Sequence, residues 1–361
     1  MNTNQKTVLQ ASRGLSAIFV LFFHAAAMFY KYYHYDLFGV SSIGRSGGVD
    51  FFFVLTGFLL YHTYGHKIGS KMTVMPYLTN RLIRIYPFYW LITLIVLPVY
   101  FFVPSFGYGF ETHKDTIFLS MLLLPQAHGP ILPVAWSLSY FVLFYILFSV
   151  VMALGKKPAY LLASIWLLLT LCNVLHVPVI GHDIQHYFYL NFLFSEINLE
   201  FAAGCLMAVW IQGHRSKHYK TLLSSAMLIF IVIWLNNKFL WVPFHSYLLY
   251  IIPAIFILLG ATSIPEQIRL PHWVLVLQKL GNASYTILLT HLIYISILTK
   301  LSKIAHLTDI LGNLGTGLLI FMLTIPLCYL SYVLAERPLI AQIRGAQKLR
   351  TSQSPTPISQ G

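Results

Sequence analysis

Ten apolar stretches of membrane-span length leave this chain few folds to choose from. They centre on residues 14–33, 48–65, 83–103, 134–154, 159–176, 190–211, 221–236, 245–262, 283–299 and 313–334. A helix needs about 20 predominantly apolar residues to cross a ~30 Å hydrocarbon layer. The chain is 58% hydrophobic and only 9% charged, against about 25% charged in ordinary soluble domains. A water-soluble core does not explain that composition. The expected fold is an all-α polytopic membrane protein with about ten transmembrane helices.

The net charge of +13 does not point to nucleic acid, because the basic residues fall in short segments between apolar runs, as the positive-inside rule requires. With ten spans and a cytoplasmic N-terminus, 17 of the 23 Lys and Arg fall on the cytoplasmic side. The remaining six, Lys31, Arg45, Lys114, Lys238, Lys300 and Lys303, fall outside. The apolar run at 116–125 is too short to cross, and counting it as a span would invert everything downstream. It is therefore expected to be re-entrant or interfacial, with protein or water covering its backbone. Residues 1–345 read as a single transmembrane domain and 346–361 as a cytoplasmic tail, disordered at its polar end. The run Leu15–Phe23, with Lys6 and Arg13 before it and Ala25–Ala27 after it, imitates a cleavable signal peptide. Its apolar character continues to Tyr30, so it is expected to remain as the first span. Cys172, Cys205 and Cys328 all lie in apolar segments without CxxC spacing and read as packing residues.

Arg13 and His24 are eleven positions apart in the first span. At roughly 100° per residue, eleven steps make three turns plus about 20°, so both side chains share one face. A rise of about 16 Å between them puts His24 near mid-membrane. An ionisable group there is functional by default, and an imidazole can take a proton from a hydroxyl and return it. A helix-packing histidine fits the same position equally well. Asp50, one turn inside the second span, must find an imidazole, an arginine or a polar cavity. It either orients His24, as a carboxylate does in a hydrolase triad, or serves as a first-turn acid favoured by the helix dipole. In that span Gly48 and Gly57 are also candidate close-packing positions. Arg81 and Arg84 share one face at the cytoplasmic mouth of the third span. They suit phosphate oxygens, or equally lipid headgroups and topology. Trp136, Glu200 and His291 are further candidates for acceptor contact or support. Nothing in the chain matches a Walker A loop, a dinucleotide fingerprint or a HExxH zinc site, and no metal is expected.

Seven segments together resemble the acyltransferase 3 family of bacterial integral-membrane O-acyltransferases. They are the Arg13–His24 pair, GVDFFFVLTGF at 48–58, RLIRIYPFYW at 81–90, WSLS at 136–139, LEFAAG at 199–204, LGNASYTILLTH at 280–291 and AERP at 335–338. They come in family order and span nearly the whole chain, most like the exopolysaccharide and O-antigen acetyltransferase branch. The resemblance implies transfer of an acyl group, usually acetyl, from cytosolic acetyl-CoA to a hydroxyl on a glycan or lipid-linked glycan. Acetyl-CoA is then a co-substrate, with no bound cofactor. The family's essential histidine carries over to His24, its basic partner to Arg13, its paired arginines to Arg81 and Arg84, and its GVD acid to Asp50. The implied location is the bacterial inner membrane, and the bias of basic residues over ten spans puts both termini in the cytoplasm. Thr56 stands where the family usually has Ser, and Phe141 where many members continue WSLS with a glutamate. The second difference leaves room for another acceptor, another mechanism or a non-catalytic relative. From the residues alone, a transporter or flippase with an Asp/His/Arg proton path is the main rival.

Overall fold

The computed structural model describes residues 1–41, 43–179, 184–213, 216–242 and 247–353, with side chains as far as Gln347. Arg215, one of the basic residues assigned to the cytoplasmic side, and the end of the tail, 354–361, lie outside the described residues. The chain folds into helices. The first five are α1 (Thr3–Tyr33), α2 (Gly48–Tyr64), α3 (Val74–Phe102), α4 (Lys114–Met121) and α5 (Trp136–Ala153). Next come α6 (Lys156–Val174), α7 (Phe188–Leu193), α8 (Ile197–Trp210), α9 (Tyr219–Phe239) and α10 (Ile251–Thr262). The last are α11 (His272–Asn282), α12 (Ser284–Ile304), α13 (Leu307–Ser331) and α14 (Arg337–Gln353).

Among the described residues, eight helical stretches are long and apolar enough to cross a membrane. They are α1, α3, α5, α6, α7 with α8, α9, α12, and α13 running on into α14. All ten expected stretches are helical, but two fall short of a full span. The stretch at 48–65 forms the 17-residue α2, and that at 245–262 holds the 12-residue α10. The 116–125 run contributes only the 8-residue α4. Its carbonyls are taken up by the third span. Tyr89 Oη donates to Ser120 O at 2.8 Å, Trp90 Nε1 to Met121 O at 2.8 Å and Tyr86 Oη to Leu122 O at 2.8 Å. Helix α14 carries the chain into the expected tail as far as Gln353.

The beginning of α1 is fixed by its own sequence. Asn2 and Gln5 cap each other, the Asn2 side chain accepting from Gln5 N at 2.8 Å and Gln5 Oε1 accepting from Asn2 N at 2.9 Å. Gln5 Nε2 then donates to Thr262 O at 2.7 Å, and Asn2 Nδ2 to Ile264 O at 3.0 Å. These bonds satisfy carbonyls left open where α10 ends.

Two glycine pairs set the helix crossings. A Cβ on Gly281 would fall 1.8 Å from Gln10 O, and one on Gly14 2.2 Å from Leu277 O, so α1 and α11 touch backbone to backbone. Gly57 and Gly204 do the same for α2 and α8: added Cβ atoms would meet Phe201 O at 2.0 Å and Val54 O at 1.9 Å. The close-packing role considered for Gly57 is therefore its role in the fold. Gly48 likewise abuts α1, at Ser16 O and the Val20 side chain. Helix α2 thus begins level with the middle of α1. To reach that level the 34–47 segment descends among the helices, burying Leu37, Val40, Ile43 and Ser46.

The stretch at 190–211 breaks between α7 and α8. Side chains take the carbonyls freed there: Trp166 Nε1 and Asn198 Nδ2 donate to Leu193 O, and Asn173 Nδ2 to Phe194 O. The break puts Glu196 and Glu200 at the beginning of a new helix, where the dipole favours negative charge.

Candidate active site

A cavity of about 160 Å³ lies where α1, α2, α3, α5 and α12 meet, and Arg13, Arg81 and Arg84 all line it. The three guanidiniums are neutralised unequally. Arg84 Nη1 donates to Glu336, a carboxylate with no exposed surface that also accepts from Thr286 Oγ1. Glu336 sits in a single π-helical turn, Tyr332–Glu336, at the junction of α13 and α14. The chain continues helically through the AERP segment, and its glutamate is the counter-charge of Arg84. Arg13 has one weak partner, donating from Nη1 to Gln10 Oε1 at 3.3 Å, and its guanidinium lies 5.8 Å from the Phe52 ring. Arg81 lies among aromatic faces, 5.3 Å from Tyr64 and 5.8 Å from each of Tyr77 and Tyr145. The Nε atoms of Arg13 and Arg81 are both buried, with no hydrogen-bond partner among the described residues. Among the described residues, three cations against one carboxylate with donors unspent give the cavity a net positive lining whose geometry suits an anion.

His24 does not line that cavity; it packs against His291. Their ring centroids are 5.0 Å apart at 43°, and Phe23 closes on His24 edge to face at 5.2 Å. His291 is fully buried on α12, with Nδ1 2.8 Å from Ile287 O. That geometry assigns the proton to Nδ1 and leaves the Nε2 lone pair buried and unpartnered. The pair and the cavity are joined through helix periodicity. Arg13 and His24 share a face of α1. On α12 the cavity residues Ser284 and Leu288 precede His291 by seven and three positions, again on one face. The imidazoles stand over the cationic cavity along both helices.

Asp50 goes elsewhere. Its Oδ1 is 3.2 Å from Arg45 Nη1, its side chain is buried, and none of its described contacts is with His24. The first turn of α2 lies level with Ser16 and Val20 of α1, on the Arg13 side of His24. Arg45 collects two further carboxylates, Glu196 at 3.4 Å and Glu200 at 3.8 Å, and stacks on Tyr247 at 4.4 Å. Its positive charge is thus faced by three carboxylates, those of Asp50, Glu196 and Glu200. Glu200 is fully buried beside Asp50, and among the described residues neither of its oxygens accepts a hydrogen bond. Arg45 counted only as an outer basic residue in the sequence; it is the centre of this cluster.

Trp136 is half-exposed, set edge-on against Phe53 and Tyr140, and does not line the cavity. Its neighbours Ser137, Leu138 and Phe141 do. Phe141 thus forms apolar wall at the position where the resemblance led one to expect an acid. Among the described residues no group of three or more His, Cys, Asp or Glu is placed to hold a metal ion.

Comparison with known proteins matches the family described as "Acyltransferase domain" over residues 8–333. Protein 2 in picA locus of Rhizobium radiobacter is 33% identical over 112 residues, 30% of this chain and 52% of that protein. The chain thus spans about half the length of the curated relative it matches. No solved structure matches the chain. A family match over nearly the whole polytopic helical bundle settles one point: the chain belongs to the acyltransferase 3 family of membrane acyltransferases.

Proposed function

We propose that the protein is an O-acyltransferase of the bacterial inner membrane that moves an acyl group, acetyl in the first instance, from cytosolic acyl-CoA to a glycan or lipid-linked glycan hydroxyl. Both termini face the cytoplasm in this reading, α2 and α10 count with the eight long stretches as ten crossings, and α4 is re-entrant. One observation carries it: three guanidiniums with a single counter-charge surround a cavity that lies along the same two helix faces as an imidazole pair. An anion held low by its phosphates, with its reactive end higher, fits that order. Arg81, Arg84 and Arg13 hold the phosphates of the carrier, and the thioester extends toward His24.

In the reaction, His24 takes the proton of the acceptor hydroxyl as its oxygen attacks the acyl carbon. The carbon–sulfur bond breaks, the carrier leaves as a thiolate, and the imidazolium returns the proton to it. His291 holds His24 in place from α12, the part first given to Asp50. Asp50, committed to Arg45, acts at a distance by fixing the first turn of α2, whose Phe52 and Thr56 line the cavity. The test is incubation of the purified protein with acetyl-CoA labelled in the acetyl group, with and without a glycan acceptor. Transfer or thioester hydrolysis that is lost in His24→Ala supports the reading. Substrate uptake into proteoliposomes without acyl consumption, or no turnover with any hydroxyl acceptor, overturns it in favour of a carrier or a non-catalytic relative.

A further inference from the structure

A second, larger cavity, of about 680 Å³, lies between α1, α9, α10 and α11, away from the arginine cavity. At about 30 Å³ per water it would hold some twenty waters, yet its wall gives them few partners. The lining is chiefly apolar, from Ala11, Leu15 and Phe19 on α1 to Leu223, Met227 and Phe230 on α9. A space that large and that apolar calls for an apolar occupant.

Its charges are asymmetric. Among the described residues the charged lining is Lys220 and Arg269, both exposed cations, with no carboxylate facing the cavity. Both belong to the end where α1 begins: Lys220 is in the first turn of α9, and Arg269 in the segment joining α10 to α11. A hydrogen bond from Ser216 N to Ser263 Oγ ties those two regions together. Trp273, 63% exposed, stands at the same end, as a headgroup-level aromatic does. Along α9 the lining runs from Lys220 to Phe230, ten residues or about 15 Å. That is half of a ~30 Å hydrocarbon core, the depth of one leaflet. At its inner limit the cavity is closed by Gly47, Gly48 and the Tyr250 ring.

We propose that this cavity is a binding site for one anionic phospholipid of the leaflet that meets the start of α1. The phosphate lies between Lys220 and Arg269, and an acyl chain runs along α1 and α9 to the level of Tyr250. The inference goes beyond acyl transfer and does not depend on it.

Native mass spectrometry of the intact protein, released from detergent with phosphatidylglycerol or phosphatidylcholine of matched chains, tests it. Two basic residues at a headgroup supply roughly tenfold to thirtyfold preference for the anionic lipid, so one phosphatidylglycerol is retained at about tenfold lower concentration. The Lys220→Glu/Arg269→Glu double variant loses that preference. Met227→Trp, which puts bulk into the cavity and keeps the basic mouth, lowers retention of both lipids. Equal retention of the two lipids by the wild type overturns the proposal, as does unchanged phosphatidylglycerol retention in Met227→Trp. Displacement of the lipid by acetyl-CoA also overturns it, by giving the basic mouth to the acyl carrier. Should the double variant melt below its native range, Met227→Trp and the wild-type comparison still decide.

Discussion

The imidazole of His291 lies 5.0 Å from that of His24, centroid to centroid, and its Nδ1 is committed to the carbonyl of Ile287. The arrangement sets a second candidate histidine against His24, and the proposed reaction gives the two rings different duties: positioning to the ring fixed by its own helix, proton exchange to the partly buried His24. His24→Ala is expected to lower kcat by about 10²–10⁴-fold, the usual worth of general acid–base help. His291→Ala lowers kcat less, leaves the KM for acetyl-CoA near wild type, and alters the pH profile of kcat. Steady-state kinetics across pH with labelled acetyl-CoA read all three. A His291→Ala enzyme with an unchanged profile assigns that ring to packing alone.

The unspent donors of Arg13 and Arg81 predict a different signature. Each charge-assisted hydrogen bond is worth about 1.5–3 kcal/mol, so Arg81→Ala weakens coenzyme A binding by roughly ten- to a hundredfold. Arg81→Lys recovers only part, because a lysine keeps the charge and loses the planar fork. Titration calorimetry with coenzyme A measures both. Equal affinity across the three proteins removes Arg81 from the donor site.

Glu336 restrains Arg84, and releasing it has two opposed consequences. Glu336→Gln keeps the shape and removes the counter-charge. Arg84 is a third exposed, so the loss of stability is modest, on the order of 1–3 kcal/mol. At the same time the cavity gains net positive charge, and coenzyme A binds more tightly. Thermal melting in detergent with and without coenzyme A shows a lower melting point for the free variant and a larger shift on binding. A variant that loses both stability and affinity shows that Glu336 orients Arg84 for the donor, and this prediction fails.

The Arg45 cluster predicts structural damage. Removing the cation leaves Asp50 and Glu200 buried near one another, and an unpaired buried charge costs about 3–5 kcal/mol. Arg45→Ala should therefore lower the melting point sharply. Adding Glu200→Gln to it restores part of the loss, because one of the two facing charges is then gone. Asp50→Asn is milder than Arg45→Ala. If Asp50→Asn instead abolishes turnover at unchanged stability, Asp50 works in the chemistry itself.

The architecture was legible wherever one helix decides the matter. The apolar stretches announce an all-α membrane bundle, of which eight helical stretches among the described residues are long enough to cross, and the eleven-residue step from Arg13 to His24 puts both on one face of α1. Contacts set by depth were not legible. Orienting His24 was one of two roles open to Asp50, and the level at which α2 begins, which governs what Asp50 can touch, depends on how the connector before Gly48 folds. That is fixed by Gly48 meeting Ser16 and Val20. Arg45 was counted as an outer charge for the same reason: its position in sequence says loop, while its surroundings are three carboxylates. The break after Phe194 was also hidden, since Ser195 and Glu196 interrupt the apolar run too briefly to register. Glu336 could have been suspected from AERP, but its partner Arg84 lies 252 positions away.

Connectors between membrane helices ordinarily tolerate insertions and deletions, because they run over the surface. The one from His34 to Gly47 is an exception. It buries Leu37, Val40 and Ile43, with Leu37 packed on Gly317, while at its exposed side Phe38 O accepts from Lys238 Nζ at 2.8 Å. Its length therefore sets the register of everything after it. A single added residue would lift Arg45 off its carboxylates or turn Gly48 away from α1, so this short stretch is as constrained in length as the helices it joins.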